Sequence, residues 1–252
     1  MKLNLLVPAS LLMLFTYTSC SEATDDSKDA GANPTEIVDD KEDQFETSEP
    51  EVIKPLSEYV PEGYVIFDTI YGDLNKDSKE DCILIIKGTD ETEFIDDEYR
   101  GELDVNRRGI IVLLKEEGNY DVTVKNVDCF SSENEDGGVY FAPELNVYVE
   151  DGKMFVHYAH GRYGYWKYTF RYQQDDLELI GYDNSENYGP IVSTIESYNF
   201  LSKRKLVKEN TNVNAETEED EVFEETWSDI EVNELIKLST IDDFDGLYFY
   251  HL

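Results

Sequence analysis

Apolar and polar residues alternate with a period of two along most of the chain between residues 64 and 182. Successive side chains of a β-strand point to opposite faces, so this alternation predicts half-buried strands. The predicted strand runs are residues 64–70, 82–86, 109–114, 120–127, 145–149, 154–158, 165–172 and 177–182, of which 82–86 and 109–114 carry no polar side chain. No comparably strong helical period separates them, so the pattern predicts a mainly β domain.

Three short polar stretches join neighbouring runs in the manner of β-hairpins. Residues 116–119, 150–153 and 173–176 each lie between two runs, and the second stretch contains the pair Asp151-Gly152. Asp-Gly favours a two-residue turn whose twist matches that of the flanking strands. The order of the runs therefore predicts an antiparallel β-meander, arranged as a partial propeller or a sandwich.

The run at residues 165–172 carries four aromatic side chains on one face, at positions 166, 168, 170 and 172. An aromatic face of this kind is usually part of a core. The functional alternative is a sugar-stacking surface, because Arg162 and Tyr163 lie in the loop just before this strand. We therefore expect Arg162, Tyr163 and Trp166 to be the candidate ligand-binding residues.

The first residues have the pattern of an export signal. Lys2 precedes an apolar stretch at residues 3–15, and Thr18 and Ser19 are small residues of the kind found near a cleavage site. The stretch is too short to span a bilayer as a helix. Residues 1–19 are therefore predicted to be a signal peptide.

Cys20, directly after Tyr-Thr-Ser, resembles the lipidated cysteine of a bacterial lipobox, and the acidic residues soon after it resemble outer-membrane and surface lipoproteins of Bacteroidetes-type bacteria. The resemblance implies acylation of Cys20, with palmitate among the acyl chains, and a lipid-anchored protein of the cell envelope, at the outer membrane or surface. The alternative is an ordinary cleaved secretory peptide. Residues 20–55 are rich in Glu, Asp, Ser and Thr and predict a disordered acidic tether, followed by one globular domain at residues 56–252.

The charge balance narrows the class of partner. The chain has 57 Asp and Glu against 21 Lys and Arg, a formal charge of −36. Nucleic-acid binding is excluded because it needs a basic surface. The charge favours divalent cations and basic partners, although it could also serve solubility alone.

Of the remaining cysteines, Cys82 and Cys129 are a candidate disulfide pair for an oxidising compartment, with two separate buried thiols as the alternative.

An acidic loop at residues 73–81 carries the clearest metal-binding pattern. Oxygen-bearing side chains occupy positions 1, 3, 5 and 9, and a backbone carbonyl falls at position 7, an arrangement that suits Ca²⁺. An EF-hand is excluded, because it needs Gly at position 6 and Glu at position 12, where this chain has Ser78 and Leu84. A calcium loop and a solvated acidic turn remain.

Residues 72–86 resemble the loop of FG-GAP repeats, as found in integrin-type β-propellers, at all four acidic or amide positions. The resemblance implies a structural Ca²⁺ site. No second copy is present, which argues against a full propeller. Residues 137–140, 170–173, 179–181 and 199–203 are similar to small uncharacterised bacterial envelope proteins with one acidic loop and a β-meander. The implied ligands are Asp73, Asn75, Asp77 and Asp81 through their side chains and Lys79 through its carbonyl.

No catalytic constellation is evident. The chain lacks a nucleophile elbow, a phosphate-binding Gly loop and a His-Glu-x-x-His motif, so we expect no catalytic residues and a non-catalytic protein. The first hypothesis is a calcium-stabilised envelope module that binds a protein or glycan. The second is an inhibitor or immunity-type protein that neutralises a basic enzyme or toxin. The third is a carboxylate-dependent hydrolase.

Overall fold

The computed structural model describes residues 54–135, 142–249 and 252, and they confirm the mainly β, antiparallel architecture. Thirteen strands lie in these residues. Their bounds are β1 (Tyr64–Gly72), β2 (Asp81–Gly88), β3 (Phe94–Asp97), β4 (Gly101–Asp104), β5 (Arg108–Glu116), β6 (Asn119–Phe130), β7 (Glu144–Glu150), β8 (Lys153–Ala159), β9 (Gly164–Gln173), β10 (Asp176–Tyr188), β11 (Ile191–Asn199), β12 (Arg204–Asn210) and β13 (Phe223–Asp229).

The strands form two main sheets and one small hairpin. The four-stranded sheet has the order β1-β2-β5-β6, and the seven-stranded sheet runs as a meander, β13-β12-β11-β10-β9-β8-β7. Strands β3 and β4 pair only with each other. All strand pairs in these sheets are antiparallel, as the hairpin signals predict. In the described chain, no helix is both long enough and apolar enough to cross a membrane.

The two main sheets share one hydrophobic core, here called the inner cluster. Ile83, Ile85 and Ile110 contribute from the four-stranded sheet, and Met154 and Phe170 contribute from the seven-stranded sheet. Burial of each such side chain stabilises the fold by about 1.5–3 kcal/mol. On the aromatic face of β9, Phe170 and Tyr168 are therefore core residues, and Tyr168 is only 2% exposed.

The opposite face of the four-stranded sheet carries a second group, the outer cluster, which includes Cys82, Leu84 and Ile86. A 3₁₀ turn at Leu56–Tyr59 packs on it through Tyr59. Cys82 lies in this cluster, whereas Cys129 lies in the inner cluster, and both are free thiols. The predicted disulfide does not form, because β2 and β6 are separated by β5 and the two thiols occupy opposite faces of the sheet.

Two of the predicted hairpins turn through left-handed backbone conformations. Asp151 and Gly152 have φ of 52° and 68°, and Gln174 and Asp175 have φ of 53° and 57°. Positive φ at both central residues is the requirement of the type I′ turn. At the second hairpin, neither residue is glycine, so the pairing of the flanking strands enforces the conformation.

The C-terminal segment packs back on the core, and in its described residues it forms neither an α-helix nor a strand pair of its own. Beyond β13 it contains short 3₁₀ turns at Leu238–Thr240 and Phe244–Gly246. The side chain of Asn126 donates hydrogen bonds to the carbonyls of Leu238 (2.9 Å) and Ile241 (2.7 Å). These bonds attach the C-terminal segment to β6.

Several sequence predictions fall on residues that the structure does not describe. These are the signal peptide at 1–19, the lipidated Cys20, the tether except for its last two residues, and most of the envelope-protein resemblance at 137–140. Strands β3, β4, β11, β12 and β13 were missed by the alternation pattern. Five of the seven β13 residues are acidic or hydroxylated, and six of the seven are exposed, so β13 has no apolar face for the pattern to detect.

Candidate functional site

The acidic loop joins β1 to β2 and folds around its own backbone N–H groups. Asp73 accepts hydrogen bonds from the N–H groups of Asp77 (3.1 Å) and Ser78 (2.9 Å). Asn75 also accepts from Asp77 (3.0 Å), and Asp77 accepts from Lys79 (2.8 Å). The four bonds turn three of the predicted ligand side chains toward the inside of one tight loop.

The backbone of Ser78 adopts a left-handed conformation, of the kind that glycine adopts without strain. Its φ is 68°, and that of Lys76 is 63°. Non-glycine residues rarely adopt positive φ, and each such position costs free energy. The loop therefore makes a turn with positive φ at Ser78 although this residue is not glycine.

Asp81, the last predicted ligand, is fully buried at the start of β2. Its carboxylate accepts hydrogen bonds from the N–H of Leu74 (2.7 Å) and from the N–H of Lys115 on β5 (2.9 Å). Burial raises the pKa of Asp81, and these backbone bonds oppose the shift. Asp81 therefore fastens the loop to the sheet.

Charged neighbours surround the exposed side of the loop. The Lys79 ammonium lies 3.5 Å from the Asp77 carboxylate and 3.7 Å from that of Glu116. The backbone N–H of Lys79 is the main cause of the lowered pKa of Asp77, and Glu116 is the main cause of the raised pKa of Lys79. Since these groups are exposed, the ion pairs contribute little to stability.

The loop fits a hard cation in donor chemistry and in order, because oxygen atoms at all five positions are the ligands that Ca²⁺ prefers. The hydrogen bonds leave each carboxylate oxygen a further lone pair. Within residues 54–135, 142–249 and 252, however, no group of three or more His, Cys, Asp or Glu side chains is arranged to hold a metal ion. Calcium at this loop is therefore a proposal, taken up below.

A second candidate site is a cleft of about 410 Å³ between the seven-stranded sheet and the C-terminal segment. Ligand pockets in proteins commonly measure about 300–1,000 Å³. Its lining includes six aromatic side chains and three carboxylates. The aromatic residues are Tyr163, Trp166, Tyr168, Tyr182, Phe244 and Tyr248, and the acidic residues are Glu135, Glu186 and Asp245.

Two cross-strand pairs form the floor of the cleft. Trp166 and Tyr168 on β9 lie opposite Asn184 and Tyr182 on β10. Residues two apart on a strand share a face, so these four side chains stand together on the inner face. The Tyr168 hydroxyl donates to the carbonyls of Phe244 (3.2 Å) and Leu247 (3.3 Å), which joins the floor to the C-terminal segment.

Trp166 is held from one side and lines the cleft. Its ring stacks on Tyr158, with centroids 5.2 Å apart and planes 17° apart, and it meets His160 edge-on at 6.1 Å. Its indole N–H, a hydrogen-bond donor, has no acceptor among the described residues. The ring is thus fixed in place while its polar atom remains available.

Gly164 brings β9 close to β10 at the rim of the cleft. Its φ is +108°, and a Cβ atom there would lie 1.8 Å from the carbonyl oxygen of Ser185. The tight turn before it is closed by a hydrogen bond from the His160 N–H to the Gly164 carbonyl (2.9 Å). The turn places Tyr163, which is 38% exposed, at the cleft wall.

Asn184 is the most informative polar group in the cleft. The residue is 9% exposed and lines the cleft, and its side-chain amide forms no hydrogen bond with the described residues. The amide is not among the fully buried polar groups without a partner, so it remains open to the cleft. The amide offers both donors and an acceptor to a ligand.

The structure brings two of the three predicted ligand-binding residues into this cleft. Tyr163 and Trp166 line it, whereas Arg162 lies in an adjoining depression with Ala142 and His160. The Arg162 guanidinium is 6.0 Å from the centre of the Tyr163 ring. His157 and His160 contact different aromatic rings, Tyr165 and Tyr163 respectively.

Comparison of the chain with family models, curated proteins and solved structures returned no match. The similarity to FG-GAP loops therefore remains a prediction from residues 72–86.

Sequence reasoning missed Asn184, Glu186 and Asp245. One signal was present, because the polar run at residues 183–187 continues the alternation past Tyr182, with position 184 on the inward face. Asp245 comes from a segment with no clear period, and no sequence pattern placed it beside β10.

Proposed function

We propose that this chain is a non-catalytic, lipid-anchored module of the bacterial cell envelope, and that it binds a glycan in the aromatic cleft. The observation that carries the proposal is the Asn184 side chain, which lines the cleft opposite Trp166 and forms no hydrogen bond with the described residues. A sugar has an apolar face that stacks on an aromatic ring and hydroxyls that both donate and accept. The amide and the indole N–H supply matching partners.

The carboxylates at the cleft extend the same chemistry. Glu186 and Asp245 line it, and carboxylates are strong acceptors for sugar hydroxyls. The site is also concave and largely preformed, because its floor belongs to a sheet and hydrogen bonds fix Tyr168. A preformed site loses less conformational entropy on binding.

In this proposal the acidic loop is a structural calcium site that stabilises the fold. Ca²⁺ would be held by the side chains of Asp73, Asn75, Asp77 and Asp81 and by the carbonyl of Lys79, and it would neutralise the clustered carboxylates. Asp81 would carry this effect into the sheet through its bond to Lys115. A structural role for the metal is supported by the absence of any shared lining residue between the aromatic cleft and the depression beside the loop, among the described residues.

Calorimetric titration of the folded domain with a panel of oligosaccharides tests the binding proposal. We expect saturable binding of at least one, and unchanged oligosaccharide when the mixture is later analysed by chromatography. Absence of binding across the panel would contradict the glycan proposal. Shortened products would instead favour the carboxylate-dependent hydrolase.

Thermal melting with added Ca²⁺ or with EDTA tests the metal. Binding at 100 times the dissociation constant stabilises a protein by about 2.7 kcal/mol. We expect EDTA to lower the melting temperature of the wild type but not of Asp77→Ala. Asp97→Ala is the matched control, since Asp97 also accepts backbone N–H bonds in an acidic turn but lacks the loop spacing. Identical wild-type melts would indicate a solvated acidic turn.

The net charge supports a second candidate, an inhibitor of a basic enzyme or toxin. A formal charge of −36 would steer a basic protein toward this chain at low salt. Pull-down from envelope extracts at low and high salt tests it, with a specific basic enzyme retained and inhibited as the expected result.

A further inference from the structure

We infer that the glycan held in the cleft carries a free amino group, so that the ligand is an oligosaccharide of an amino sugar in its ammonium form. This inference rests on the proposed glycan-binding function and deepens it. Its basis is the charge and the aromatic character of the cleft, and not the stacking surface alone.

The cleft presents carboxylates without basic partners. Glu135, Glu186 and Asp245 line it, and among the described residues no lysine or arginine does. In the portion of the chain that the structure describes, none of these three carboxylates forms an ion pair with a lysine or arginine. Glu135 accepts only a long bond from the Ser132 N–H, at 3.4 Å. Their negative charge is thus available to a ligand.

One cation acts on the cleft from within the core. Arg108 is 4% exposed, donates to the carbonyl of Ser131 (2.8 Å), and lies 3.9 Å from Glu133. Burial lowers the pKa of Arg108, and the negative charges of Glu133, Glu135 and Asp245 oppose that shift. Since Glu133 already faces Arg108, this cation does not neutralise the three carboxylates of the cleft, and Arg162 lines the adjoining depression and not the cleft itself.

The aromatic residues add to the attraction for a cation. The faces of Trp and Tyr rings attract ammonium groups, most strongly when the site is shielded from water. Trp166, Tyr163 and Tyr248 stand around the cleft and Tyr182 lies in its floor. A neutral sugar uses such rings only through stacking, whereas an ammonium group uses both the rings and the carboxylates.

Three β-1,4-linked tetrasaccharides that differ only at ring carbon 2 make the test. They are the tetramers of glucosamine, N-acetylglucosamine and glucose, compared by calorimetry at a mildly acidic pH that keeps the amine protonated. We expect the glucosamine tetramer to bind roughly tenfold more tightly, equivalent to about 1.4 kcal/mol. The preference should shrink as salt is raised, because salt screens charge pairs.

Two charge-removing variants locate the effect. Asp245→Asn and Glu186→Gln should each reduce the preference for the glucosamine tetramer, while Glu224→Gln should not. Glu224 is an exposed carboxylate on β13, and it does not line the cleft. The use of two independent variants keeps the test valid if one of them fails to fold.

The remaining outcomes overturn the inference in distinguishable ways. Equal or tighter binding of the N-acetylglucosamine or glucose tetramer would overturn the ammonium inference and leave the glycan proposal intact. Binding of a lysine tetrapeptide in the cleft without binding of the glucosamine tetramer would assign the ammonium group to a protein partner. Failure of all three sugars and of the peptide would contradict both the inference and the proposed function.

Discussion

Asn184 on β10 lies directly opposite Trp166 on β9, and together they place an unpaired amide beside an indole ring at the floor of the aromatic cleft. Cross-strand neighbours have Cβ atoms about 4.5–5.5 Å apart. One ligand group can therefore contact both side chains. The relative position of these two side chains is fixed by the pairing of β9 with β10 and does not depend on a loop.

Replacement of Asn184 by Ala should weaken glycan binding and leave stability nearly unchanged. The amide makes no hydrogen bond to the described residues, so its removal costs the fold less than about 0.5 kcal/mol, as at sites without special features. Paired urea unfolding and calorimetric binding curves measure the two effects. A strongly destabilised Asn184→Ala variant would mean that the amide has a structural role.

Replacement of Asp81 by Ala should destabilise the domain by roughly 3 kcal/mol, because it leaves the N–H groups of Leu74 and Lys115 without their acceptor. Glu80→Ala is the control, since Glu80 is an exposed neighbour in the same loop. Urea unfolding compares the variants. Equal midpoints for the two would contradict the fastening role of Asp81.

The titration of Asp81 should make this contribution depend on pH. Burial raises its pKa in the folded state above the value of about 3.9 for an unperturbed Asp. The folded state therefore retains the proton more strongly, so stability is greatest below the unfolded pKa and falls as pH rises through the folded pKa. In EDTA, the stability of wild type relative to Asp81→Asn should decrease over this range. An increase would mean that the backbone bonds outweigh burial.

Cys82 and Cys129 should behave as two inert thiols. Burial raises the pKa of Cys82 to about 11 and also raises that of Cys129, and a thiol reagent attacks the thiolate. Protein that begins at Ser21 should react slowly when folded and yield two thiols in denaturant without reductant. No thiols in denaturant would indicate a disulfide and would contradict the placement of these residues on opposite faces.

The sequence was sufficient for eight of the ten strands from β1 to β10. Alternate side chains of β8 face the core, whereas β2 and β5 are continuously apolar because both of their faces are buried. The short strands β3 and β4 were not predicted. The hairpin at Asp151-Gly152 needed only local information. The cleft could not be predicted from local information, because it depends on long-range contacts. One of them is the hydrogen bond from the Tyr168 hydroxyl to the Phe244 carbonyl, 76 positions apart. The C-terminal segment is irregular, so its position is set by packing on the core and not by a sequence period.

The disulfide prediction was wrong for a related reason. The cysteine count states how many thiols are available, but only the register of the sheet decides which face each one occupies. Cys82 lies opposite Leu113, in the outer cluster, while Cys129 belongs to the inner one. The acidic loop is the opposite case, since the spacing of its oxygen-bearing side chains and the hydrogen bonds within residues 73–79 are all local.

The two tryptophans of the chain provide the most direct test of the central claim. Trp166 lines the cleft, whereas Trp227 on β13 is 53% exposed and lies beneath the Arg204 guanidinium, 4.4 Å from its ring centre. With the best ligand of the oligosaccharide panel, Trp166→Ala should weaken binding at least tenfold, and Trp227→Ala should leave it unchanged. Equal affinities for both variants, or a loss confined to Trp227→Ala, would contradict a glycan site in this cleft.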